Sequence, residues 1–290
     1  ILEDEKEPLF GRATGKISLT PFSPSVCKEI LNDYNSSYTN EDLLCLYMLS
    51  GGVAKYISLL MESGSTTKEK MIEYVTGITS PFLIDGKDVL ISEMGKDYGV
   101  YFSILALISR GLTVQNEIDS VIQKNTGAYL ANLDKVYSVI KPIRPLYSKS
   151  ESRNARWQIT DSYLRFYFRF IYSNQSLVEL GQYDLLKSVI LRDYETFTGK
   201  TLEQYFTNKI NEEKQLTKIG GWWDRKGENE IDIIAVNDLE KTCDVYEIKR
   251  QANRINLSKL TEKVNNFKSI VKLEIGGYFI QTFGLSLEDM

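Results

Sequence analysis

The chain has 290 residues, 42% hydrophobic and 26% charged, with a formal net charge of -4, a balance that suits a globular protein of two or more domains and excludes a uniformly basic nucleic-acid binder. It contains no histidine, which excludes Ser/His/Asp and Cys/His nucleophile arrangements, His-ligated zinc and any nuclease with a histidine general base. Cys27, Cys45 and Cys243 are odd in number and far apart and read as reduced thiols of a cytoplasmic protein; no apolar run approaches the roughly 18 residues of a membrane span, and a start at Ile1 without a signal-peptide pattern reads as a fragment.

In chain order, GKISLTPF (15–22) reads as a short strand ended by Pro21 and Pro24. Ser25 suits the cap of a helix carrying Val26, Ile30 and Leu31. Asn40 suits the cap of a second, with Leu43, Leu44, Tyr47 and Met48, ending at Gly51 and Gly52. Val53 to Met61 and Lys68 to Thr76 keep the helical spacing.

Three helices and a hairpin follow. VYFSILALISRG is an apolar helix stopped by Gly111, Thr113 caps a short helix with Ile118, Val121 and Ile122, and Thr126 to Ile140 carries Leu130, Leu133, Val136 and Tyr137. IKPIRPLYSK and RNARWQIT read as strands around a turn at Ser150 to Ser152. This is the order of a winged helix-turn-helix, whose third helix enters the major groove and whose wing touches phosphate. Lys124, Asn125, Asn132 and Lys135 are then the DNA contacts expected of the helix, and Lys149, Arg153 and Arg156 those of the wing. Lys141 to Arg169 holds seven Lys or Arg against Glu151 and Asp161, a basic segment in an acidic chain. Such modules also serve protein contacts, and both readings stand. In SYLRFYFRFIYSN (162–174) the aromatics point to burial between domains, and Arg165 and Arg169, one turn apart, are expected to meet carboxylates of a neighbouring domain rather than phosphate.

The chemistry-bearing stretch is EIDIIAVNDLEKTCDVYEIK (230–249), two apolar runs around a polar turn and so a β-hairpin. Symmetry about the Leu239/Glu240 bond sets Asp232 across from Glu247 and Glu230 across from Lys249. Opposed Cβ atoms lie roughly 4.5–5.5 Å apart, within reach of one shared divalent cation, provided no bulge shifts the register. Two carboxylates and a lysine on one face suit a metal-dependent phosphodiesterase. A solvated face of cross-strand ion pairs is the alternative. Glu230 reads either as a further ligand or as the ion partner of Lys249. Gly220 to Trp223 begin a preceding strand, with Trp222 and Trp223 as structural cover; Leu257, Leu260 and Val264 mark a following helix, and LEIGGYFIQTFG (273–284) a further strand.

YFSILALISRG, RNARWQITDSYLRFYFRFIY, GGWWDRKGENEIDIIAV and YEIK together resemble the C-terminal part of the prokaryotic "archaeal ATPase" family of AAA+ proteins, with a DUF234-type appended domain similar to the PD-(D/E)XK nucleases. The resemblance implies a multi-domain α and α/β chain: the tail of an AAA+ core at 1–24, a helical lid at 25–95, a winged helix at 96–175 and a restriction-endonuclease-like α/β domain at 176–290. LSGGVAKYISLL is similar to the lid motif GGxPxY, with Ala54 where Pro is usual. Arg12, in PLFGRATGKISLTPF, corresponds to a nucleotide or subunit contact of the intact protein. Carried over by motif, Asp232 and Glu247 are the metal ligands, Lys249 the lysine of the E-x-K element, and Glu203 a catalytic acid on the helix before the first core strand. The implied cofactor is Mg²⁺ or Mn²⁺ and the implied partner DNA, with homo-oligomers possible for such ATPases. There is no GxxxxGK[ST] loop, so ATP hydrolysis is expected only of an intact protein that includes the P-loop core. A silent nuclease fold serving DNA binding or assembly, and a winged helix used for protein contact, are the alternative readings.

Overall fold

A computed structural model describes residues 15, 17, 19–95, 98–149 and 154–290. Arg12 and Arg153 lie outside them, as does the expected turn at Ser150 to Ser152. Eight helices come first: α1 (Pro24–Tyr34), α2 (Asn40–Ser50), α3 (Ala54–Glu62), α4 (Lys68–Val75), α5 (Asp85–Met94), α6 (Tyr98–Ser109), α7 (Gln115–Ile122) and α8 (Gly127–Lys135). An antiparallel pair, β1 (Ile140–Ile143) and β2 (Arg156–Ile159), leads to α9 (Ser162–Phe166), a π-turn over Tyr167–Ile171, α10 (Gln175–Glu179) and the 31-residue α11 (Tyr183–Glu213). The last third is a mixed sheet, β3 (Lys218–Trp223), β4 (Glu230–Asn237), β5 (Thr242–Ile248) and β6 (Phe279–Leu285), with α12 (Leu257–Ile270) and α13 (Lys272–Ile275) between its last two strands.

The ends of these elements follow local chemistry. Ser23, not Ser25, caps α1, because Pro24 occupies the first helical position, where its missing N–H costs nothing. Thr39, not Asn40, caps α2 in a reciprocal box with Asp42. Gly51 closes α2 at φ 55 and Gly52 follows at φ 86; a Cβ on Gly52 would stand 2.2 Å from Phe22 O, so only glycine fits there. Val114, not Thr113, precedes α7. The third helix of the expected winged module ends at Lys135 rather than Ile140, since Ser138 turns to φ 54 and Ile140 enters β1. The described residues of GKISLTPF are not a strand: Ile17 and Leu19 are exposed, and Phe22 N–H bonds Gly52 O in place of a ladder. Leu273 to Ile275 are helical, and the last strand begins only at Phe279.

The sheet order is β3-β4-β5-β6, antiparallel except for the β5–β6 pair, which is parallel and therefore needs the α12 crossover. It lies between two helical layers. Ile233, Ala235, Tyr246 and Ile248 belong to the large core that runs through α1, α2, α6, α9 and α11. Ile234, Val236, Cys243 and Val245 face a smaller core with Leu260, Val264 and Phe267 of α12. Burial on both faces is why β4 reads as an apolar run rather than an alternation. The aromatic segment sits in the large core: Tyr163, Phe166, Tyr167, Phe168 and Phe170 are at most 3% exposed, and each fully buried side chain of this size stabilises by about 1.5–3 kcal/mol.

Candidate functional site

The hairpin register is the expected one over the recorded ladder, which runs from Asn237↔Thr242 to Ile233↔Tyr246. It stops one pair short of Asp232 and Glu247. The reason lies on the other side of β4. The step from Gly220 to Trp222 on β3 is matched by a step from Ile234 to Ile231 on β4, so β4 carries an extra residue at this point. Ile231 and Ile234, three apart, both pack into the α12-side core, which a strand of period two allows only through a bulge. The bulge frees Asp232 from direct opposition, and its Oδ2 accepts the backbone N–H of Ile248 at 2.7 Å.

Lys249, just past β5, joins the two acids. Its Nζ is 3.3 Å from Asp232 Oδ2 and 3.8 Å from Glu247 Oε1, and donates to Ile248 O at 3.0 Å. Glu247 is 5% exposed. Its Oε2 accepts Asn256 N–H at 2.7 Å, and Lys263 of α12 stands 3.9 Å from Oε1. Glu203, on α11, pairs with Lys200. Burial pushes its carboxyl up, Lys200 works against the rise, and the Asp232 and Glu230 carboxylates add to it. The structure therefore brings Asp232, Glu247 and Lys249 into one ion-paired group, with Glu203 in its electrostatic field.

Glu230 is not the partner of Lys249. It meets Arg156 Nη1 at 2.7 Å, and the Arg156 guanidinium lies 4.3 Å from the Trp223 ring. The segment after β1 covers the β3 edge, Leu146 N–H donating to Gly221 O at 2.9 Å and Asn154 Oδ1 accepting from Trp223 Nε1 at 3.1 Å. Arg156 thus serves the sheet rather than solvent. Arg169 meets Asp193 of α11 at 2.7 Å, and Arg165 is buried against Phe197 and Thr201. The aromatic segment's arginines do face a neighbouring element. Lys141, Arg144, Lys149, Asn125 and Lys135 remain exposed, Lys124 donates to Tyr129 Oη at 2.6 Å, and Asn132 is committed to Tyr101 Oη at 2.9 Å.

Among the described residues no three His, Cys, Asp or Glu side chains form a metal-binding cluster. The Asp232–Glu247 pair fits a hard cation nonetheless. Asp232 Oδ1 takes no hydrogen bond from the described residues, and Glu247 Oε1 faces only the two ammoniums. Mg²⁺ keeps several waters and needs only one or two carboxylates. Sequence reasoning missed Asn256 and Lys263, the two holders of Glu247. Asn256 carried a local signal, since it caps α12; Lys263 carried none.

No helix among the described residues is long and apolar enough to cross a membrane. No solved structure matches the chain. An uncharacterized protein of Methanocaldococcus jannaschii is 30% identical over 254 residues, which cover 84% of this chain and 55% of that protein. The chain spans about half the length of the curated relative it matches. A model of archaeal and bacterial proteins of unknown function, DUF234, matches residues 167–264, from the π-turn to α12, and so takes in Glu203, Asp232, Glu247 and Lys249. Residues 167–264 are a DUF234 domain.

Proposed function

We propose that this chain is the DNA-binding, DNA-cleaving part of a larger AAA+ ATPase, with a Mg²⁺- or Mn²⁺-dependent phosphodiesterase site in its DUF234 domain. One observation carries the reading: Lys249 Nζ within 4 Å of both Asp232 and Glu247 at the bulged end of β4 and β5. The helix, three strands, helix, strand order around it suits the nuclease-like core that the sequence resembles. The helices up to Met94 would then be the ATPase lid, and α6 to β2 the winged helix.

Asp232 and Glu247 would hold the ion, which when bound supplies a polarised phosphate and a water of lowered pKa. Lys249 orients that water and stabilises charge on the phosphoryl oxygens. Water oxygen bonds phosphorus and gives up a proton to solvent, one phosphodiester P–O bond breaks, and the leaving oxygen takes up a proton, so no net proton is consumed by the step. Glu203, in the field of Asp232, would be the group that relays a proton between solvent and the site. Without the ion the carboxylates already lie against ammoniums, and that self-neutralised set supports a second reading, a silent nuclease fold used for DNA binding or assembly.

The test is cleavage of plasmid, linear duplex, single-stranded and branched DNA in Mg²⁺ or Mn²⁺, beside Asp232→Ala and Lys249→Ala. Each variant is expected to lose activity by about 100-fold or more. DNA binding without cleavage on every substrate, in the chain and in an ATP-loaded longer protein, would leave the silent fold standing.

A further inference from the structure

Lys249 is a flexible stem whose ammonium makes a hydrogen bond to a neighbouring carbonyl, a long one of 3.3 Å to Asp232 Oδ2 and a looser ion pair to Glu247, so its aim depends on where the backbone presents it. The next residue fixes that backbone. Arg250 points away from the carboxylates: its Nη1 donates to Thr198 Oγ1 of α11 at 2.7 Å, its Nη2 pairs with Glu41 Oε1, and the guanidinium lies 5.5 Å from the Tyr194 ring. Glu41 stands in the first turn of α2, 209 positions earlier in the chain.

The same turn of α2 holds the strand on the other side. Lys249 N–H bonds Leu285 O at 3.0 Å, Leu287 N–H bonds Arg250 O at 3.4 Å, and Asn40 Nδ2 donates to Leu287 O at 2.9 Å. The two chain segments leaving β5 and β6 are therefore tied to each other and to α2. The anchor is also incompletely satisfied: Glu41 Oε2 is buried without a hydrogen-bond partner among the described residues, and an unpartnered buried oxygen makes such a tie easier to loosen than a bidentate one.

From this we infer that Arg250 is a positioning residue, which with Glu41 sets the reach of Lys249 over Asp232 and Glu247 and makes the site responsive to the placement of α2. The inference rests on the phosphodiesterase reading for its effect on turnover, but not for its effect on the backbone. Both are measured on the full chain, in Arg250→Gln and in Glu41→Gln, the milder change. Expected are a kcat for DNA cleavage lower by about 10- to 100-fold with KM for DNA within about twofold of the parent, the double variant no worse than either single one, and Arg250→Lys partly restored. Amide exchange at Ile248 and Lys249 rises in both single variants while that of Ile233 to Val236 in β4 stays as it was. If neither the parent chain nor an ATP-loaded longer protein cleaves, the phosphodiesterase reading falls and the exchange pattern alone decides the positioning role. Unchanged kcat and unchanged exchange in Glu41→Gln overturn the inference. So does a loss of protection that extends through β4 in that variant, since it would mark a purely structural tie. Should Arg250→Gln not fold, Glu41→Gln and Arg250→Lys carry the same decision.

Discussion

Asp161 has two roles that pull its proton in opposite directions. Its Oδ1 accepts Leu164 N–H at 2.7 Å as the N-cap of α9, a bond that favours the anion. Burial disfavours the anion more strongly, and the net shift is upward. A carboxyl held more tightly protonated in the fold than in the unfolded chain, where it titrates near 3.9, contributes stability below that value and loses it as pH rises through the folded pKa. Asp161→Asn keeps a capping oxygen and removes the charge. It is expected to raise Tm by a few degrees at pH 7 and to melt with the parent near pH 3; calorimetry at the two pH values checks this, and equal melting at pH 7 would show that the cap outweighs the burial. That Asp232, Glu247 and Lys249 come close to one another was legible from the hairpin register, but the bulge that takes Asp232 out of direct opposition to Glu247 was not. Partners such as Asp193 for Arg169, or Glu230 for Arg156, were not, since nothing in a sequence says which distant carboxylate arrives beside a given guanidinium.

At the scale of elements, the lid-like motif LSGGVAKY shows why one departure is harmless. Ala54 is the first residue of α3 and Val53 before it is extended at φ -70 and ψ 119, so the position is one where proline's missing N–H is not needed and the preceding residue already suits it. Ala54→Pro should stabilise by about 0.4–1 kcal/mol through the unfolded chain, seen as a higher urea midpoint with an unchanged m-value. The neighbouring elements are where the proposed DNA binding can be tested. Of the basic segment, Arg165 is buried and Arg156 and Arg169 are paired, while Lys141, Arg144 and Lys149 remain exposed, so only part of the charge excess visible in the sequence is open to a partner. Lys135→Ala, at the exposed end of α8, is expected to reduce the slope of log K against log salt by about 1, and Arg156→Ala to leave the slope unchanged; the opposite ranking would return the wing to the groove. Most helix and strand types were readable from period, the exceptions being GKISLTPF, which is not a strand over its described residues, and Leu273 to Ile275, which are helical. The ends of the elements were not, because Pro24, Thr39 and Ser138 decide them through single torsions and single hydrogen bonds. The β4 bulge was equally invisible, since it arises from the packing of Ile231 and Ile234 against α12.

For the whole molecule, the large core passes without interruption from α1 through α11 to Ile233, Tyr246 and Ile248 of the sheet. That core takes in residues from each of the segments 25–95, 96–175 and 176–290. Unfolding in urea, followed at once by tryptophan fluorescence, which reports Trp157 of β2 and Trp222 and Trp223 of β3, and by far-UV circular dichroism, which reports the helices, should give coincident transitions. Separated midpoints would show that the sheet and the helices are independent units. Long-range continuity of this kind is not encoded in any local period, which is why it was not legible in the sequence.

The 31 residues of α11 form a rod about 46 Å long. Near its C-terminal end Glu212 bonds Ser23 at the start of α1 and Asn208 bonds Tyr47 of α2; nearer its middle Thr198 holds Arg250 and Glu203 lies in the field of Asp232. Glu203 and Glu212 are nine residues apart on one helix, about 14 Å. A helix does not stretch, so a tilt of about 5° about Glu212 shifts Glu203 by about 1 Å. Mechanically α11 is a lever: a displacement of the N-terminal helices that tilted it would also move Glu203 relative to Asp232.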